Sequence, residues 1–257
     1  SSLQATTPEE VTVKTTALVI LRKILDLEGE EKWKAIDNNL KEQIKKKALE
    51  AFVNEKDPNQ KGKICDVLTQ IIDKVSDCDE QWDDLQKLAL TILTINIEEN
   101  NLVQIDSLLK LMKDATGFLY DELFKNIKQI LMYLENIFKS SFTKLKVSAS
   151  ELLSELISFG NEEETKQFTP FIFNILQTTL ECLTTNQEDL LKRQLEMLIE
   201  LVSVEPVLFR KHFNDLYILA GKIVEKKDYD EEKIREQGFE VLISLIEEKP
   251  AWIEKDE

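Results

Sequence analysis

Apolar residues recur along this chain at helical spacing, and the whole phrase then repeats. In LLSELISFG the phrase is Leu153, Leu156 and Ile157. In MLIELVSVE it is Leu198, Leu201 and Val202, and in VLISLIEEK it is Leu242, Leu245 and Ile246. The same frame runs back through Leu109 and Met112, through Leu68, Ile71 and Ile72, and through Leu21, Ile24 and Leu25. The aligned leucines at 21, 68, 109, 153, 198 and 242 are 47, 41, 44, 45 and 44 residues apart, and Lys113 makes the third copy the weakest. A second series, Leu49, Ile92, Leu134, Leu176 and Leu219, interleaves with the first at steps of 43, 42, 42 and 43. Two interleaved series at one period predict a two-helix unit, with an A helix on the first series and a B helix on the second.

Each helix reads as amphipathic. Ile64, Val67, Leu68, Ile71, Ile72 and Val75 form one stripe of a 3.6-residue helix, with Lys63, Asp66, Gln70, Asp73 and Lys74 on the other side. The B helix through Trp82, Leu85, Leu88, Ala89, Ile92 and Leu93 follows the same rule. Turn signals fall between the phrases. Asp57-Pro58-Asn59 precedes an A helix, Pro170 and Pro206 suit the first turn of B helices, Thr7-Pro8-Glu9-Glu10 reads as a cap, and Pro250 should open another B helix. One helix pair cannot bury both its stripes, whereas stacked pairs share a continuous core. A period of 41–47 with six unperiodic glycines fits HEAT better than armadillo units. The expected fold is all-α, a right-handed HEAT-repeat solenoid of about five to six helix pairs. The units fall near 8–54, 61–98, 100–139, 142–184, 187–226 and 231–257. The sixth A helix is followed only by AWIEKDE, so a piece of a longer solenoid is expected.

Composition narrows function more than fold. Net charge is −16, which disfavours nucleic acid and anionic membrane surfaces and favours basic partners. No run of 18 apolar residues suits a membrane helix, and SSLQATTPEE does not read as a signal peptide. Cys65, Cys78 and Cys182 form no CxxC pair and read as reduced thiols of a cytosolic or nuclear protein. His212 is the sole histidine, so a Ser-His-Asp triad or a His-rich metal site is all but excluded. Gly-rich phosphate loops and nucleophile elbows are absent as well. Binding by an extended surface, with no cofactor and no catalysis, is therefore expected. Trp33, Trp82 and Trp252 stand near turns, where they either cover the end of the stack or face a ligand.

Two stretches resemble a known family. Lys63-Ile64-Cys65-Asp66 followed by Gln81-Trp82 resembles the N-terminal part of the importin-beta (karyopherin-beta) family, with Gly62 where a basic residue is usual. The junction around Pro206, Arg210 and His212 is similar to the importin beta-3 branch, and the likeness runs over about residues 14–250. The resemblance implies a monomeric import receptor that shuttles between cytoplasm and nucleus. Its implied partners are the GTP form of Ran, basic nuclear-localisation cargo and Phe-Gly nucleoporins. Acidic positions along the early B helices, Glu42, Asp83, Asp84 and Asp121, are the candidates for Ran contact. Glu122, Glu135, Glu181 and Asp215, also on B helices, are the candidates for an acidic cargo groove. The other reading left open is a non-transport HEAT scaffold, such as a phosphatase regulatory subunit or an assembly chaperone.

Overall fold

The computed structural model describes residues 16, 22, 23, 29–229 and 232–248. Leu21, Ile24, Leu25, Pro250, Trp252 and the Thr7–Glu10 cap lie outside the described residues. The chain divides into two compact units, Ser1–Lys125 and Asn126–Glu257.

Among the described residues the regular elements are all helical. The first unit holds α1 (Gly29–Ala35), α2 (Asn38–Asn54), α3 (Pro58–Asp77), α4 (Asp83–Leu90), α5 (Leu102–Asp114) and α6 (Tyr120–Lys125). The second holds α7 (Ile127–Lys139), α8 (Thr143–Phe159), α9 (Glu162–Thr165), α10 (Ile172–Thr184), α11 (Glu188–Val204), α12 (Phe213–Glu225) and α13 (Lys233–Glu248). The A series falls on α3, α5, α8, α11 and α13, and the B series on α2, on the 3₁₀ turn Thr91–Thr94 that continues α4, and on α7, α10 and α12.

Local chemistry sets the ends. Asp57 caps α3 by accepting from the Gln60 N–H at 2.8 Å, and Pro58 follows at the first turn, where its missing N–H costs nothing. Pro170 and Pro206 do not open α-helices directly. They sit in 3₁₀ turns, Thr169–Phe171 and Pro206–His212, that lead into α10 and α12. The B helix α4 is shorter than its pattern predicts and tightens into a 3₁₀ turn, Thr91–Thr94. Its end is rich in β-branched residues, and the Thr91 and Thr94 hydroxyls bond back to the Leu88 and Thr91 carbonyls at 2.6 and 2.7 Å.

Within the first unit α3 packs on α2 and α5. Within the second, α8, α11 and α13 pack in sequence, while α10 and α12 pack on them and on each other. The phrase leucines form the seams: Leu68, Leu109, Leu153 and Leu198 are buried, as are Ile92, Leu134, Leu176 and Leu219. Full burial of each such side chain contributes about 1.5–3 kcal/mol. Polar ties span neighbouring A helices. Lys110 donates to Asp66 at 2.8 Å, Arg193 grips Glu151 through two nitrogens at 2.8 and 2.7 Å, and Gln237 donates to Glu196 at 3.2 Å.

The last phrase is out of register. Leu242 is half-buried and Ile246 exposed, whereas Val241 and Leu245 are buried. Ile234, Gln237, Gly238, Val241 and Leu245 take in α13 the places that Leu191, Gln194, Leu195, Leu198 and Val202 take in α11, a shift of 43 residues. Gly238 explains the rotation: a Cβ there would stand 2.9 Å from Ile223 Cγ2, so only a bare backbone lets α12 come this close.

Trp33 and Trp82 are 2% and 4% exposed, so both indoles are packing residues rather than ligand faces. Cys65 and Cys182 are buried free thiols, and burial pushes the pKa of each up to about 12, which leaves them inert.

Candidate interaction surfaces

The acidic candidates of the first unit divide by how they are held. Asp83 and Asp84 occupy the exposed first turn of α4, where the helix dipole favours negative charge. Asp84 lies 3.4 Å from Lys87. Glu42 is exposed on α2 and lies 3.1 Å from Lys45 Nζ. That ammonium, itself buried, also donates to Glu80 at 3.1 Å and to the Gln81 carbonyl at 3.4 Å. Gln81 precedes Asp83 by two residues, so Lys45 brings Glu42 and the Asp83-Asp84 pair into one region. Asp121 and Glu122 sit elsewhere, on the short α6 rather than on the longer α7 of the B series. Asp121 is exposed, and Glu122 is 3.6 Å from Lys125.

The remaining cargo candidates lie in the second unit and differ sharply in availability. Glu181 accepts from Lys146 at 2.7 Å and from the Thr143 hydroxyl at 2.5 Å, which ties α10 to α8. Burial would push its carboxyl up, but the bonds from Lys146 and Thr143 outweigh burial and hold it below the usual carboxylate range. Glu135 is exposed and pairs with Lys139 at 2.6 Å. Asp215 is exposed in the first turn of α12, 3.3 Å from His212 Nδ1, and the His212 ring lies 6.1 Å from Phe173. Of the three, Asp215 offers the most open carboxylate.

The sequence did not mark the internal ties. Lys41 donates to Glu80 at 2.7 Å beside Lys45, so one carboxylate serves two buried ammoniums. Burial raises the Glu80 carboxyl, yet the two lysine bonds lower it further, and the net shift is downward. Partners 35 to 45 residues apart leave no local motif. Only a comparison of charges one repeat apart could have found them.

Two apolar grooves accompany these charges. One, of about 350 Å³, runs between α2 and α3, where Leu40, Ile44 and Ala48 face Ile64, Val67 and Ile71. A smaller one, of about 130 Å³, lies between α10 and α12. A polar cleft of about 780 Å³ gathers Asn186, Glu188, Asp189 and Asp228 near Lys144. Among the described residues no group of three or more His, Cys, Asp or Glu side chains is placed to hold a metal ion. The arrangement offers shape and charge for binding.

Residues 56–219, more than half the chain, match the profile of a family described as IPO5-like, TPR repeats. The repeat steps of 41–47 residues exceed the 34 of a TPR unit and lie in the HEAT range. No curated protein matches the chain. Among solved structures it is similar to Kap121p, at 21% identity and a TM-score of 0.74, over 97% of this chain and 23% of that one. It is also similar to Kap121p bound to RanGTP, at 20% identity and 0.71 over 97% and 22%, and to Kap121p bound to Nup53p, at 20% and 0.73 over 97% and 23%. The chain thus spans less than a quarter of the Kap121p chains it matches, and at this identity the likeness is one of fold.

Proposed function

Because the chain belongs to the family of IPO5-like repeats, within the karyopherin-beta proteins, we propose that it serves a nuclear import receptor of the importin beta-3 type. The observation that carries this reading is the family match across residues 56–219. It works by binding: Ran in its GTP form, basic cargo and Phe-Gly nucleoporins are its partners, and it shuttles through the nuclear pore. Structures of Kap121p bound to RanGTP, Nup53p and Pho4p support partners of these kinds.

Ran contact is assigned to the region where Lys45 draws Glu42 toward Asp83 and Asp84, with Asp121 as a separate contact. Basic cargo is assigned to Asp215 and Glu135, with Glu122 and Glu181 adding field while engaged in their own ion pairs. The α2–α3 groove suits a phenylalanine ring, since Leu40, Ile44 and Val67 offer an apolar slot with little charge.

A pull-down on GTP-locked Ran tests the first assignment. Asp83→Lys with Asp84→Lys should weaken capture, while circular dichroism stays unchanged because both residues are exposed. Undiminished capture would overturn the assignment. For the groove, Leu40→Asp, at a residue 50% exposed, should abolish binding of a Phe-Gly repeat peptide without unfolding the chain. Retained binding would place that contact elsewhere.

A further inference from the structure

The groove between α10 and α12 carries opposite charges at its two ends over an apolar floor. Leu176, Leu180, Ile218 and Leu219 form the floor. Asp215, Ile218, Leu219 and Lys222 follow one another at i, i+3, i+4 and i+7, so they make a single stripe of α12 along the groove. At a rise of 1.5 Å per residue, Asp215 and Lys222 stand about 10 Å apart, two helical turns.

Neither end is committed to holding the unit together. The Asp215 side chain is 60% exposed, and its partner is His212 on the turn just before it. Lys222 is exposed and has no ion pair among the described residues. Ile218 between them is 55% exposed, and Phe173, beside the His212 ring, is 49% exposed. By contrast Glu151, Glu181 and Glu196 on neighbouring helices are all engaged by a base or an amide. An exposed isoleucine framed by an acid and a base two turns apart matches a surface of the same period and opposite charge order.

We propose that this groove docks a helical segment of a partner protein. That segment carries a Lys or Arg and an Asp or Glu two turns apart, with a Leu or Ile between them. Its base meets Asp215 near the Phe173 ring, where an aromatic face adds attraction for a cation. Its apolar side chain enters the notch over Ile218 and Leu219, and its acid meets Lys222. A uniformly basic segment would set like charge against Lys222, which disfavours it. The inference rests on the receptor reading only for the choice of the α12 face, and it departs from that reading by requiring an acid as well as a base.

The test is fluorescence anisotropy on the whole chain with an alanine-based helical peptide bearing Arg, Leu and Glu at i, i+4 and i+7. Asp215→Lys and Lys222→Glu should each weaken binding by roughly tenfold or more. The double variant should bind a second peptide in which Arg and Glu are exchanged. Ile218→Ser should weaken both pairings, with the helical circular dichroism unchanged. Single variants that bind like the parent would overturn the proposal, and so would failure of the exchanged pair. A peptide with Arg at both positions that binds the parent equally well would overturn it too, yet would leave the basic-cargo reading standing. Mixed-charge binding with no capture of the basic peptide would do the reverse.

Discussion

At the scale of single residues, burial decides which charges serve stability and which are open to a partner. Glu80 holds two buried ammoniums, Lys41 at 2.7 Å and Lys45 at 3.1 Å. Glu80→Gln takes the carboxylate from Lys41 and leaves Lys45 with Glu42 and the Gln81 carbonyl, so unfolding in urea should show a loss of about 1–3 kcal/mol at neutral pH. The folded Glu80 carboxyl lies below its unfolded value. Its contribution is therefore complete above the ordinary carboxylate range and is lost as pH falls through the lowered folded value. The gap between parent and variant should close over that acid window, and a gap independent of pH would refute the brace. Leu198, 1% exposed at the α11 seam, is a second case. Leu198→Ala should cost about 2–5 kcal/mol, lost methyl groups and residual cavity together. A loss under about half a kcal/mol would mean that the phrase is not the seam.

At the scale of elements, the same substitution should have opposite signs at two glycines. Gly62 lies inside α3, and a methyl group added there would meet nothing within 4 Å, so Gly62→Ala should stabilise by about 0.5–1 kcal/mol through helix propensity. Gly238 lies inside α13, where an added Cβ would stand 2.9 Å from Ile223 Cγ2 and 3.3 Å from Val224 Cγ2. Both neighbours are β-branched and stiff, so overpacking of about 1–3 kcal/mol should outweigh the propensity gain. Thermal melts of the two alanine variants check this. A stabilising Gly238→Ala would show that α12 and α13 can separate freely, and the register assigned to α13 would lose its cause.

At the scale of the whole molecule, the net charge of −16 acts at longer range than any pair. Basic peptides should associate fast at low salt and weaken as the Debye length shrinks from about 30 Å at 0.01 M to about 8 Å at 0.15 M. Titration of a labelled Lys/Arg-rich peptide between those salt levels measures it. A flat response, or no binding at low salt, would rule out electrostatic capture of cargo by these repeats.

The helical repeat was legible in the sequence because it is written in local spacing: Leu68, Leu109, Leu153 and Leu198 recur with their i+3 and i+4 companions, and a helix turns that spacing into a face. The family likeness was legible through Lys63-Ile64-Cys65-Asp66 and Gln81-Trp82 for the same reason, since each motif is contiguous. The register of α13 was not legible, because Val241 and Leu242 are equally apolar and only the approach of Ile223 to Gly238 chooses between them. Nor was the division of the acids. Glu181 and Asp215 are both B-helix carboxylates in sequence, but Lys146 and Thr143 claim the first while the second faces an open groove. Spacing along the chain fixes which residues share a helix face. Which charge meets which depends on neighbours one repeat away, and packing alone sets those.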